Sequence, residues 1–121
     1  MRSLLVFSLL LSTTPVQLAD VSGVWSLRLV TSAGESAARA TVTLKQEAET
    51  LTGSCVIDQI EQELTATGQA KDDTLAWRCV GKESFEASFK ATIDSTGRQM
   101  TGEWATLAAA RGTFKGSRAP K

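Results

Sequence analysis

From Val21 onward, apolar and polar side chains alternate with a period of two, which is the spacing of side chains on the two faces of a β-strand. The segment Arg39–Glu47 shows this clearly, because Ala40, Val42 and Leu44 share one face and polar residues occupy the other. An amphipathic helix would need apolar residues three or four positions apart. The pattern therefore predicts strands throughout and excludes a helical fold.

The alternation predicts eight strands joined mostly by short polar turns such as Ala48–Glu49. The predicted strands are Val21–Val30, Arg39–Glu47, Leu51–Asp58, Ile60–Ala70, Leu75–Gly81, Phe85–Ile93, Gln99–Leu107 and Arg111–Arg118. Only Thr31–Ala38 is longer, and its small polar residues predict a flexible loop. Because short turns join antiparallel neighbours, we expect an all-β, eight-stranded antiparallel meander.

Four glycines fall on the same strand face as the apolar residues: Gly53, Gly68, Gly102 and Gly116. Glycine inside a strand is used where a sheet bends sharply or where backbones approach closely. Closure of a meander into a barrel also removes the exposed edge strands. A two-sheet sandwich of the same strands is the alternative, but the short connections favour a closed or nearly closed barrel.

The first nineteen residues have the three-part layout of a secretory signal peptide. A short basic start, Met1-Arg2-Ser3, precedes the apolar run Leu4–Leu11 and a more polar segment that ends at Ala19. The run is far shorter than the ~20 residues of a membrane-spanning helix. We therefore expect a signal peptide at 1–19 and one domain at 20–121, exported to the periplasm or outside the cell with no membrane span.

The two cysteines, Cys55 and Cys79, both lie in the exported part, where an oxidising compartment favours a disulfide. They fall on the third and fifth predicted strands, about 9.6 Å apart if two strand spacings separate them, whereas bridged Cα atoms lie within about 6.8 Å. However, both have inward parity and both lie toward the C-terminal ends of parallel-running strands. We predict a Cys55–Cys79 disulfide, with two buried thiols as the alternative.

Gly23-Val24-Trp25 on the first strand and Arg118 on the last resemble the calycin group of lipocalins, fatty-acid-binding proteins and avidin-like barrels. The resemblance implies that the Arg118 guanidinium lies against the Trp25 ring and closes one barrel end. An avidin-like biotin site uses Asn and Tyr side chains, and this chain has neither residue type. The resemblance therefore supports the fold and leaves the ligand open.

Six aromatic side chains have inward parity: Trp25, Trp77, Trp104, Phe85, Phe89 and Phe114. With Arg118, they could line a cavity for a small apolar ligand. Eight-stranded barrels are just wide enough to be filled by side chains or to hold one such ligand. Six large rings in so short a chain favour the filled core.

We expect the polar residues that have inward parity, and those that form an acidic cluster, to be exposed to water. Gln46 and Gln62 have inward parity, and such residues more often reach water near a strand end than orient a ligand. The acidic residues Glu61, Glu63, Asp72 and Asp73 lie on an outward face or in a turn. A pair of catalytic carboxylates in a glycosidase would have to lie in a cleft. A calcium site would need carboxylates at the sequence spacing of a metal-binding loop, which is absent here.

Composition narrows the function further. The chain has no histidine, so neither a Ser-His-Asp relay nor a histidine metal site is available. The formal net charge is zero, which gives no support to nucleic-acid binding. We expect a non-catalytic domain without cofactor or metal, with a structural or protein-interaction role exerted through its outer face or its loops, the Thr31–Ala38 loop first. The alternative is binding of a small hydrophobic ligand inside the barrel.

Overall fold

The computed structural model describes residues 20–82 and 85–119. All of its regular elements in this part are β-strands. Their bounds are β1 Gly23–Thr31, β2 Ser36–Glu47, β3 Thr50–Ile57, β4 Leu64–Lys71, β5 Thr74–Val80, β6 Glu86–Ile93, β7 Gln99–Thr106 and β8 Arg111–Arg118. The predicted signal peptide at 1–19 lies outside the described residues. No helix in the described ranges is long and apolar enough to cross a membrane.

The eight strands form a closed barrel in sequence order, and β8 pairs with β1. Every neighbouring pair is antiparallel, so the predicted meander and its closure are confirmed, and the sandwich is wrong. We call the end where β1 begins and β8 ends the floor, and the opposite end the rim. Because each strand hydrogen-bonds to two neighbours, the wall presents no free strand edge to a partner.

The period-two pattern places one face of every strand in a continuous apolar core. For example, Trp25, Leu27 and Leu29 of β1 are buried, while Val24, Ser26 and Arg28 face outward. None of the buried residues in the described part is polar or charged. Burial of apolar surface is the main stabilising contribution to such a fold, at roughly 25 cal/mol per Å².

Three glycines with inward parity are opposite aromatic residues on the next strand. Gly68 pairs with Trp77, Gly102 with Phe114, and Gly112 with Trp104. A Cβ atom at Gly102 would collide with the Lys90 carbonyl oxygen of β6, so strands approach there more closely than any side chain allows. The prediction that inward glycines allow backbones to approach closely is thus confirmed, and these glycines also leave space for large rings.

Most predicted strand ends differ from the structure by one or two residues, and the largest shifts lie at the starts of β4 and β2. The Ile60–Ala70 strand begins only at Leu64, because Ile57–Ile60 forms a turn with Gln59 at a positive φ of 74°. Phe85 precedes β6 and does not belong to it. The Thr31–Ala38 loop is shortened to residues 32–35, since Thr31 extends β1 and Ser36 begins β2 with an irregularity in the register opposite Leu29 and Val30.

Candidate functional site

The floor of the barrel is closed by Trp25 and Arg118, which are directly opposite each other on β1 and β8. The Arg118 Cζ atom lies 4.8 Å from the centre of the Trp25 ring, and Trp25 is fully buried. This contact confirms the arrangement that the sequence predicted. A guanidinium over an indole face contributes a cation–π attraction of about 0.5–2 kcal/mol, more as it is desolvated.

Hydrogen bonds tie this pair to the segment that precedes β1. Arg118 Nη2 donates to the Asp20 carbonyl oxygen at 2.8 Å, and Nη1 donates to the Ser22 carbonyl oxygen at 3.4 Å. Trp25 Nε1 donates to the Val21 carbonyl oxygen at 2.9 Å. These bonds engage backbone carbonyls and hold Val21, which is itself buried, against the floor. The floor is therefore a structural plug.

Gln46 belongs to the same plug. Its Oε1 accepts a hydrogen bond from Val21 N–H at 2.9 Å, and its Nε2 donates to the Ala48 carbonyl oxygen at 2.9 Å. Gln62 plays a similar part at the rim, where its Oε1 accepts from Lys82 N–H at 2.9 Å. Gln62 lies in the β3–β4 loop and not on a strand, so its predicted inward strand position is wrong. Both amides satisfy local backbone groups in place of a ligand.

Three of the predicted aromatic residues form a cluster in the interior. The Trp77 and Phe89 rings are stacked with centroids 5.1 Å apart, and Phe114 meets both of them edge-on at 6.0 and 5.6 Å. Such pairs contribute about 0.5–1.5 kcal/mol beyond the area that they bury. The Nε1 atom of Trp77 is buried without a hydrogen-bond acceptor in the described part of the chain. These rings pack against one another, as in a filled core.

The remaining two predicted aromatics lie near the rim. Trp104 is buried, and its Nε1 donates to the Val30 carbonyl oxygen at 3.0 Å. Phe85 is only half-buried and packs against the core from the β5–β6 connection. The structure therefore distributes the six aromatics from floor to rim and does not gather them around one opening.

The predicted disulfide is present near the rim. Cys55 of β3 and Cys79 of β5 are bonded, with their Cα atoms 6.0 Å apart. The bond passes across β4, where the inward-facing Leu64 and Ala66 are opposite Cys55 and Cys79 respectively. The inward curvature of the wall reduces the two strand spacings to a distance that a disulfide can span. The alternative of two buried thiols is wrong.

One part of the outer surface carries no charge, and sequence reasoning did not single it out. A cross-strand row runs over five strands through Val24, Thr43, Ser54, Thr65 and Val80. We define the uncharged wall as this row with its uncharged outward neighbours Thr41, Thr52, Val56 and Thr67, and the charged residues Lys45 and Arg78 border it. Val24, Val56 and Val80 are 41%, 51% and 37% exposed. Strand parity alone indicated the outward faces, but the lateral pairing was needed to see that these residues adjoin.

Four shallow concavities of about 480, 640, 520 and 380 Å³ lie along the barrel wall, and exposed and buried residues of neighbouring strands line them together. The first lies over β4–β7 and has Lys71, Lys90 and Glu103 in its lining. The predicted acidic cluster is not assembled into a cleft. Glu61 and Glu63 are exposed in the β3–β4 loop, and Asp72 and Asp73 form the tight β4–β5 turn.

Comparison with solved structures shows the same architecture in designed proteins. A redesigned β-barrel named b11L5F_LGL superposes with a TM-score of 0.64 at 13% identity, covering 86% of this chain and 98% of that one. Two redesigned barrels bound to DFHBI, mFAP1 and mFAP0, both give a TM-score of 0.57. Their identities are 18% and 19%, and they cover 82% and 81% of this chain, with 94% and 98% of their own.

No protein-family model matches this chain, and no curated protein sequence is significantly similar to it. At identities this low, the structural likeness defines the fold alone. The protein is an eight-stranded, closed antiparallel β-barrel.

Proposed function

We propose that this chain is an exported, non-catalytic barrel of calycin type that binds a partner protein through the uncharged wall. The observation that carries the proposal is that exposed valines lie on three of the five strands that this uncharged row crosses. Three of the four large apolar side chains that are exposed in the described residues, Val24, Val56 and Val80, lie on this surface.

The chemistry of the uncharged wall suits contact with another protein. Between the valines, threonine and serine side chains offer hydroxyl groups that donate and accept hydrogen bonds without the desolvation cost of charges. Since the barrel has no free strand edge, a partner must dock on side chains and cannot add a strand. The structure shortens the Thr31–Ala38 loop to residues 32–35, so we place the proposed interaction on the outer face of β1–β5.

Export and the calycin relationship rest on two further observations. A disulfide between Cys55 and Cys79 suits an oxidising compartment. The contact of Arg118 with Trp25 matches what the calycin resemblance implied.

N-terminal sequencing of the secreted product tests export, and we expect it to begin at Asp20. An intact Met1 in the mature protein would contradict export by a cleaved signal peptide.

Site-specific photocrosslinking tests the partner. A photoreactive residue at position 56 replaces an exposed valine of the uncharged wall. The same residue at Thr113, which is exposed on β8 away from this wall, is the matched control. We expect one discrete crosslinked protein from position 56 and none from position 113. Equal products from both positions, or none from position 56, would contradict the proposal.

Binding of a small hydrophobic ligand is the second candidate. It is favoured by the Trp77 Nε1 atom, a buried donor that could serve a ligand acceptor, and by the likeness to barrels that are bound to DFHBI. Native mass spectrometry of protein purified from its exported fraction decides the matter. A stoichiometric small-molecule adduct that disappears in Trp77→Phe would favour this candidate, and a bare protein mass would exclude it.

A further inference from the structure

Three cations lie side by side on the outer wall where the barrel closes. Arg39 of β2 is opposite Arg28 of β1, and Arg28 is opposite Lys115 of β8. All three side chains face outward and are exposed. Directly opposite residues in an antiparallel pair have Cβ atoms about 4.5–5.5 Å apart. Arg28 therefore has a positive charge on either side, and we call these three residues the cationic row.

The cationic row has no ion partner in residues 20–82 and 85–119. The ion pairs in these ranges join Lys45 to Glu47 and Arg78 to Glu86. The neighbouring carboxylates flank the row only at its ends.

At one end of the row, Asp58 lies beside Arg39, to whose carbonyl oxygen its N–H donates. At the other end, Glu103 is opposite Thr113, diagonally from Lys115. No carboxylate is opposite Arg28. Because like charges directly opposite each other destabilise a sheet, this arrangement costs stability unless an anion binds.

A concavity of about 380 Å³ lies over this row. Its lining includes all three cations and no carboxylate, and it also includes the hydroxyl-bearing Ser26, Thr101 and Ser117. Guanidinium groups present planar pairs of donors that match the oxygens of a phosphate group. The surface therefore offers charge and hydrogen-bond donors at a single place.

We propose that the cationic row binds a phosphate monoester group centred on Arg28. A singly charged carboxylate would leave two of the three cations unneutralised, whereas a doubly charged oxyanion balances most of the row. Single-stranded nucleic acid is disfavoured, because it binds on exposed aromatic rings. Every tryptophan and phenylalanine in the described ranges is buried or half-buried. The proposal is independent of the partner protein on the uncharged wall.

The phosphate group has two sources, a soluble compound or a lipid headgroup, and two probes separate them. Inorganic phosphate is titrated into the isotopically labelled protein and followed by amide chemical shifts. Flotation with phosphatidylcholine vesicles, with and without phosphatidic acid, tests the headgroup. We expect saturable shifts at Ser26, Arg28 and Ser117 with phosphate. Flotation only with phosphatidic acid would assign the lipid source, and shifts without flotation would assign the soluble source.

The decisive variant is Arg28→Glu, with Lys45→Glu as a matched control. Lys45 is exposed on β2 outside the cationic row, so the net charge changes equally. We expect Arg28→Glu to weaken binding by about tenfold or more, since it removes charge-assisted hydrogen bonds. Lys45→Glu should leave the affinity nearly unchanged. Equal weakening in both variants would indicate a general charge effect and overturn the proposal.

Stability provides a second readout that separates binding from folding. Arg28→Glu places a carboxylate between Arg39 and Lys115, so two repulsive cross-strand pairs become attractive. We expect its melting temperature to stay level or rise while binding is lost. If this variant does not fold, Arg28→Gln replaces it. The absence of any saturable response to either probe in the wild-type protein would overturn the proposal.

Discussion

The floor and the rim of this barrel are closed by different means. At the floor, β2–β3 and β4–β5 are joined by two-residue turns, Ala48–Glu49 and Asp72–Asp73, and β6–β7 by residues 94–98. At the rim, the connections β1–β2, β3–β4 and β7–β8 run through residues 32–35, 58–63 and 107–110. Longer connections leave the chain more freedom in the unfolded state and restrain the strands less.

The two ends also differ in the interaction that draws strands together. At the floor, the Trp25–Arg118 contact joins the first and last strands without a covalent bond. At the rim, the Cys55–Cys79 bond joins strands that are not neighbours, and the apolar side chain of Leu107 is exposed to solvent. Tight turns and a packed plug hold the floor, whereas a covalent bond compensates for the longer rim loops. We therefore expect that a change which destabilises one end leaves the other end folded and protected.

The largest effect is expected at the floor, from Trp25→Ala. The fully buried ring contacts Arg118 and donates to the Val21 carbonyl, so its removal leaves a cavity beneath the plug. We expect a loss of about 3–5 kcal/mol in the free energy of unfolding, measured by urea denaturation. Val24→Ala, which truncates the exposed neighbour on β1, is the control. If Trp25→Ala lost no more unfolding free energy than Val24→Ala, the Trp25 ring would not be what stabilises the floor.

At the rim, the double variant Cys55→Ala/Cys79→Ala tests the covalent closure. The bond joins residues 24 positions apart, and the loop-entropy model gives about 3–4 kcal/mol for a loop of this size. Hydrogen exchange should accelerate first in β3 and β5 near the rim, while amides at the floor keep their protection. Uniform acceleration throughout the barrel would show that the two ends are not independent.

A smaller effect is expected from Arg118→Ala. The variant loses the cation–π contact and two bonds to backbone carbonyls, one exposed and the other 3.4 Å long. Because water weakens both bonds, we expect a total loss of only about 2 kcal/mol. Arg118→Lys keeps the charge but loses the planar fork, so it should restore only part of this stability. Arg111→Ala, an exposed arginine on the same strand, is the control and should change stability little. If Arg118→Lys were as stable as the wild type, the planar guanidinium group would not be required at this position.

The smallest effect concerns the pH dependence of the β6–β7 turn at the floor. The Thr96 hydroxyl donates to Asp94 Oδ1 at 2.7 Å, and the N–H groups of Gln99 and Arg98 add weaker bonds. These bonds hold the pKa of the Asp94 carboxyl below its ordinary value. The contribution is therefore present above the ordinary pKa of aspartate and is lost as the pH falls through the lowered value.

Replacing Asp94 by Asn tests this dependence. Asn keeps an acceptor oxygen but does not titrate, so the difference in stability from the wild type should shrink as the solution is acidified. Urea midpoints measured from neutral to acidic pH provide the comparison. Asp72→Asn, in the neighbouring floor turn, is the control. A difference that is constant over the whole pH range would show that the charge of Asp94 contributes nothing.

Much of the fold could be predicted from the sequence because its signal is local. Alternation along each strand assigned the inward face, so Trp25, Trp77 and Phe89 were correctly expected in the core. The boundaries at Leu64 and Ser36 were missed. A turn with a positive φ at Gln59 and a register irregularity opposite Leu29 and Val30 depend on neighbouring strands, and alternation continues through both.

The candidate sites were less predictable because they depend on which strands lie side by side. The cationic row joins residues of β2, β1 and β8, and its members are far apart in the chain until the barrel closes. The same holds for the valines of the uncharged wall. Strand parity marks each residue as outward, but it carries no information about the lateral neighbour.

By itself, the sequence determined the strand content, the inward faces and the inward glycines. These follow from side-chain periodicity, steric limits and parity, which act along single strands. The sequence favoured a Cys55–Cys79 disulfide over two buried thiols, but the closed barrel was needed to bring the two Cα atoms to 6.0 Å. The tertiary structure alone decided the register of β8 on β1, and with it the surfaces that face a partner. That register is fixed by closure, because Arg118 can reach Trp25 and the carbonyls of Asp20 and Ser22 only when the last strand returns to the first.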